Sequence, residues 1–294
     1  MNNIKTPQLI HYFGLLLLAA IWGSAFIAVE MALTTYDPFI IAFFRIFFAT
    51  LFLLAVMRVK QLHFPRDSKS WTILICVGIL NNALPFFLIS WGQQYISAST
   101  AAIMLAVGPF IALILSHYIT HDEKFTLLKL IGVILGFLGV FILLGHDFLN
   151  QRHDSLKGEL AMLGATLGYI GSGLLLRRVS YLPTVVCSSS MFLTATLSML
   201  PFLFLYDINS HTILNFSLIS VVYLAIFPTA LASLIRVQLV QNVGVQFMSQ
   251  VSYLIPIFAI FWSWVFFKKL PSTSAWLALV LILSGLFIRK LEKK

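Results

Sequence analysis

The chain has 294 residues, of which 60% are hydrophobic and only 10% charged. Soluble domains carry about 25% charged residues, so a chain this apolar cannot hide its surface by folding in water. The net charge of +9 does not point to nucleic acid, because the basic residues sit in short loops on one alternating side of the apolar segments.

Lys5 precedes an apolar run, as in a signal peptide, but that run continues from Ile10 to about Leu33 and is too long for one. It is read as the first of ten membrane helices. They are predicted at about 10–33, 39–57, 71–90, 97–118, 126–145, 156–176, 183–206, 214–235, 246–267 and 272–289. Pro38, Pro65, Pro183 and Pro271 stand at or near the boundaries. The third span carries Asn81, Asn82 and Pro85 at mid-depth, and the eighth carries Pro228. Ten spans of ~20 residues leave no room for a separate soluble domain. Cys76 and Cys187 fall inside spans, which argues against a disulfide framework or a redox motif.

The stretch from Ser97 to Leu144 occurs a second time, from Gly244 onward. Pro109 and Pro256 both follow an apolar run, and at the same offset Gln94 matches Gln241, Ala112 matches Ala259 and Ser116 matches Ser263. Such self-similarity marks two related halves, here residues 8–146 and 155–290. Five helices per half is an odd number, so the second half is inverted relative to the first. The fold expected is an all-α integral membrane protein of ten transmembrane helices in two inverted five-helix repeats.

Charge counting leads to the same topology. With the N-terminus inside, 13 of the 19 Lys and Arg residues fall on inner segments, among them Arg58, Lys60, Lys124, Arg178 and Arg236. Only Arg152, Lys157, Lys268 and Lys269 fall outside, while Arg45 and Lys129 lie within spans. That asymmetry places both termini in the cytoplasm and the protein in the inner membrane. Aromatic residues near the interfaces, such as Tyr12, Trp71, Tyr181 and Trp276, fit a belt at the headgroups.

Several residues stand out inside the spans. Pro109 and Pro256 each remove a backbone hydrogen bond, so their helices must kink or open, and a freed carbonyl facing a cavity can contact a solute. Trp22, Tyr169 and Tyr253 lie well inside their spans, and Trp22 and Tyr169 are separated by the same offset as the two prolines. Arg45 lies roughly 9 Å from the outer end of its helix at 1.5 Å per residue. An Arg at a helix centre costs about 2.5–3.5 kcal/mol on insertion scales. The turn at Thr34–Asp37 brings Glu30 to a similar depth, so Glu30 and Arg45 are either a structural ion pair or a substrate or proton-coupling site. Asn81 and Asn82 are adjacent, so one is expected to bond a helix while the other faces the cavity. With Gln93, Gln94, Gln238, Gln241 and Gln250 they make an uncharged polar lining, better suited to polar or zwitterionic solutes than to strongly anionic ones. Glu159, close to the outer interface, is expected to be solvated. Gly132 and Gly136, and Gly164, Gly168 and Gly171, share helix faces and read as packing. His117 and His121 are four apart, a spacing that can hold metal, but a metal centre needs ligands that no other span supplies. No phosphate-binding glycine loop or nucleophile elbow is present.

Ile21-Trp22-Gly23-Ser24, Pro38, Ala42-Phe43-Phe44-Arg45, Gly158-Glu159 and the two Pro-containing copies together resemble the EamA-type members of the drug/metabolite transporter superfamily. The resemblance covers about residues 8–290. It implies a ten-helix inverted-repeat carrier, mostly an exporter of amino acids and other small metabolites. The chain departs from that pattern in two places. Phe267-Lys268-Lys269 has no acid where many relatives have Gly-Glu-Arg, and Glu30 stands where many carry Lys.

The reading is a secondary carrier working by alternating access, with no enzymatic activity, no cofactor and no metal. The alternatives are an importer or exchanger of a vitamin or nucleoside-like metabolite and, from another class, a membrane-embedded enzyme. The partners expected are a small-molecule substrate and the lipid bilayer, without nucleic acid; a homodimer is compatible with the sequence.

Overall fold

The computed structural model describes residues 6–119, 127–149, 153–179, 181–206, 216–243, 245–248 and 250–290. His121, Lys124 and Arg152 lie outside them. Helices α1 (Leu9–Ala32) and α2 (Pro38–Val59) form a hairpin. Pro38 opens α2 at a position where a missing N–H breaks no helical bond. Helices α3 (Ser68–Gly78) and α4 (Leu84–Gly92) make one rod interrupted by a π turn at Ile79–Ala83. Asp67 caps α3, accepting from the Ser70 amide at 2.7 Å and from its hydroxyl, and these bonds hold the Asp67 carboxyl below the usual carboxylate range. Then come α5 (Ala98–Leu105), α6 (Gly108–Ile119) and α7 (Leu127–Leu149).

The second half comprises α8 (His153–Leu176), α9 (Thr184–Met199), α10 (Phe216–Leu224), a π turn at Ala225–Leu231, α11 (Ala232–Val243), the short α12 (Val245–Met248), α13 (Val251–Phe267) and α14 (Thr273–Lys290). Among the described residues there is no strand. Within those residues six helical stretches are long and apolar enough to cross a membrane, and four shorter apolar helices accompany them.

Two expected helices are not continuous. The fourth divides at Ala106–Val107, which leaves Pro109 in the first turn of the following helix, where a proline is tolerated. The ninth divides between Met248 and Val251, more than a turn before Pro256.

The two halves run in opposite senses. One end of the bundle gathers the C-termini of α1, α4 and α13 with the N-termini of α5, α8 and α10. There Glu30 accepts from the Ala98 amide at 3.2 Å and from Lys269 Nζ at 3.1 Å. The Thr35 and Ser217 hydroxyls lie 2.8 Å apart, and Lys157 stands 5.8 Å above the Tyr95 ring. The opposite end joins Ser70 of α3 to Tyr181, just before α9, through hydroxyls 2.5 Å apart. So α1 ends where α8 begins.

The apolar core falls into two main parts. One packs α1, α5, α8, α13 and α14 around Phe110, Met162 and Ile282, and the other packs α2 and α9 around Phe43, Ile46 and Phe192. Lipid-facing surface is apolar too: Leu130, Ile134, Phe137 and Phe141 form an exposed stripe along α7. On its other face α7 meets α14 backbone to backbone, since a Cβ on Gly285 would lie 2.6 Å from the Gly132 carbonyl oxygen. Glu159 is 1% exposed, not solvated as expected. The second turn of α8 is pressed against the end of α4 at Gly92 and Gly158, which closes water away from it.

Candidate functional site

A cavity of about 350 Å³ lies between the two halves. Its geometry begins with the two π turns, one in the third rod of each half. Pro228 cannot donate to the Leu224 carbonyl, and the Thr229 hydroxyl takes over that bond at 2.7 Å. The same hydroxyl then accepts from Arg45 Nε at 2.8 Å, with the guanidinium carbon 3.8 Å from the centroid of the Phe86 ring. Arg45 is thereby fixed from an edge and a face, with only neutral partners. The Pro228 carbonyl accepts from Trp22 Nε1 at 3.1 Å, tying α1 to the second half.

In the other π turn, Pro85 follows Asn81 and Asn82, and the widened turn carries both to the cavity wall. Asn81 Nδ2 donates to Asn82 Oδ1 at 3.2 Å, and Ser172 of α8 donates to Asn81 Oδ1 at 2.9 Å. Asn82 Nδ2 is buried with no hydrogen-bond partner among the described residues. One asparagine, Asn81, does bond a helix, through Ser172 of α8, but both line the cavity where only one was expected to. Gly168 lets α8 reach this turn, because a Cβ there would sit 2.7 Å from the Leu80 carbonyl oxygen.

Of the candidates from sequence, Trp22, Asn81, Asn82, Tyr169, Pro256 and Arg45 line this cavity, and Pro109, Gln250, Tyr253 and Glu30 do not. Pro109 sits in the first turn of α6, where its missing N–H opens nothing. Tyr253 is turned toward α14 and donates to the Leu286 carbonyl at 2.6 Å. Gln250 precedes α13, whose next residues Ser252 and Ile255 face the cavity instead. Glu30 and Arg45 do not pair: Glu30 is held by Lys269 and the Ala98 amide, and Arg45 by Thr229. The hairpin brings them to similar depth, but Arg45 points into the bundle and Glu30 to its end.

The lining also differs in charge from the one expected. Among the described residues no glutamine contributes; Gln93 instead donates to the Phe26 carbonyl at 2.8 Å, and Gln94 and Gln238 are exposed. Two arginines contribute, Arg45 and Arg236.

The chain carries the sequence pattern of the EamA-like transporter family twice, at residues 9–145 and at 156–289. It belongs to that family. An uncharacterized transporter of Bacillus subtilis (strain 168), YdfC, is 24% identical over 288 residues, spanning 96% of this chain and 90% of its own. A second from the same organism, YoaV, is 19% identical and spans 94% of each chain. A solved crystal structure 18% identical in sequence aligns over 96% of both chains with a TM-score of 0.68, a likeness of fold alone. The protein is an EamA transporter of membrane-spanning helices.

In this EamA transporter the cavity is sealed at one end and open at the other. Lining residues toward the Glu30–Lys269 end are buried, with Val29 at 1%, Thr229 at 3% and Arg45 at 6% exposure. Toward the other end, Gly173 and Arg236 are exposed and Leu176, Ser233 and Ser252 are half-buried. Arg236 is crowded by protein yet keeps contact with the open cavity. Sequence reasoning assigned Arg236 to an inner segment and left Thr229 unremarked. The signal for both was Pro228, placed in the third rod of its half as Pro85 is in the other.

Proposed function

We propose that this EamA transporter is a secondary carrier of ten transmembrane helices in two inverted repeats. It moves a small metabolite across the inner membrane by alternating access, in the direction of export. The observation that carries the reading is a cavity between two oppositely running halves that is sealed at one end and open at the other. Carriers built from inverted repeats hold substrate at that interface and exchange which end is closed. A volume of about 350 Å³ falls within the range of small-molecule pockets, roughly 300–1,000 Å³, and suits a solute of amino-acid to nucleoside size.

Orientation follows from charge. Arg58, Lys60, Arg66, Lys69 and Arg178 lie at the open end, which therefore faces the cytoplasm together with both termini. A cavity loaded from that side and released at the other supports export, as the family resemblance does. The residues proposed to meet the solute are Trp22, Asn81, Asn82, Tyr169, Pro256 and Arg45.

Reconstitution in liposomes tests the reading. Counterflow of a solute that emerges chemically unchanged supports a carrier, and preloaded inside-out vesicles against right-side-out vesicles read the direction. Chemical conversion of the solute would establish an enzyme instead. Uptake confined to the right-side-out orientation would replace export with import.

A further inference from the structure

We propose that the cavity takes an anionic solute, a carboxylate on an apolar body of amino-acid size, anchored by Arg45; this rests on the transport reading above. The observation is an imbalance of charge. Arg45 is 6% exposed, and its partners, the Thr229 hydroxyl and the Phe86 ring, are neutral. Neither Nη nitrogen has a hydrogen-bond partner among the described residues. Arg236 faces the same cavity from its open end. Among the described residues, no Asp, Glu or His lines it. The acid at similar depth, Glu30, is already held by Lys269 and the Ala98 amide.

A buried cation without a counter-ion is unfavourable, and an arginine does not shed its proton to escape the cost. The solute is the remaining source of negative charge. Geometry narrows the choice of anion. Thr229 occupies Nε and Phe86 covers a face, which leaves the edge bearing the two Nη atoms. A planar, two-oxygen anion meets such an edge with two parallel hydrogen bonds. Tyr169 lies within electrostatic reach of both arginines and adds a neutral hydroxyl beside them. Trp22, Phe26, Phe192 and Leu176 make the adjoining wall apolar, a surface for a hydrocarbon or ring body.

The test uses the purified full chain and matched acid–amide pairs that differ in charge but hardly in shape. These are N-acetyl-leucine with N-acetyl-leucinamide and phenylacetate with phenylacetamide, with phenyl phosphate as a further arm. Tryptophan fluorescence and thermal shift follow binding. Each acid should bind at least tenfold more tightly than its amide. Arg45→Gln should bring that ratio to within twofold, and Arg45→Lys should retain part of it. Equal binding of acid and amide by the unaltered chain overturns the proposal, and so does failure of both acids to bind. Phenyl phosphate binding tenfold more tightly than the carboxylates overturns the choice of anion. Should Arg45→Gln not fold, the ratio measured on the unaltered chain decides alone. Cysteine accessibility at the two ends of the cavity tests alternating access separately, so a carrier of neutral solutes and a chain that does not transport give different results.

Discussion

At the sealed end of the cavity, Val29, Thr229 and Arg45 are buried, and Glu30 bridges α1 to Lys269 beyond α13. At the open end, Gly173 and Arg236 remain exposed. The contrast shows where closure gets its strength. The Lys269 and Glu30 side chains are 62% and 19% exposed, and pairs at such positions contribute only about 0–1 kcal/mol. Closure therefore rests on helix packing, with the ion pair as a small addition. Under the proposed alternating access, the end that reopens cannot be locked by strong contacts, because such a carrier needs two states separated by a few kcal/mol.

The two arginines should show the difference between the ends most strongly. Losing a buried, hydrogen-bonded charge contact costs about 2–5 kcal/mol, so Arg45→Gln should lower transport by roughly 30-fold or more. Arg236→Gln, at the wet end, should cost less than about fivefold and should depend on ionic strength. Transport assays at low and high salt check this; equal losses would erase the distinction between the ends. Next comes Thr229→Val, which strips both the Leu224 carbonyl and Arg45 Nε of a partner. Thermal unfolding in detergent should reveal a loss of about 1–3 kcal/mol, restored by Thr229→Ser. Full stability in the valine variant would show that the hydroxyl holds neither group.

Smaller effects sharpen the account of the sealed end. Glu30→Gln and Lys269→Gln should each raise its opening less than about fivefold, and the double variant no further than either alone. Additive shifts in a labelling assay would mean that the two residues act separately. Pro109→Ala should change transport least, by less than about twofold, since its missing N–H lies in a first turn. Pro256→Ala, inside α13 and on the cavity wall, should exceed it. Equal effects would restore a shared hinge role.

Much of the architecture is legible in the sequence because the bilayer simplifies the code. Long apolar runs mark the helices, prolines mark their breaks, and basic loops mark one side. Trp22, Tyr169 and Arg45 stand out because large or charged side chains are conspicuous inside a span, and all three line the cavity. Rotation about a helix axis is less legible. Tyr253 and Gln250 lie within two turns of Pro256, yet of the three only Pro256 faces the cavity, and a helix this apolar carries few polar residues to record which face turns inward. The π turns are harder still, since one extra residue per turn alters the facing of everything after it; Asn81 and Asn82 share the cavity for that reason. Equal depth also misled the pairing of Glu30 with Arg45, because depth does not fix direction.

Cysteine accessibility at the two ends tests the account most directly. In a background with Cys76 and Cys187 replaced by serine, single cysteines at Val29 and Ser233 are exposed to an impermeant thiol reagent in right-side-out and inside-out vesicles. Ser233→Cys should label from the cytoplasmic face alone and Val29→Cys from the periplasmic face alone. Any condition that raises one rate should lower the other. Labelling of both positions from the same face, or rates that rise together, would contradict alternating access at this cavity.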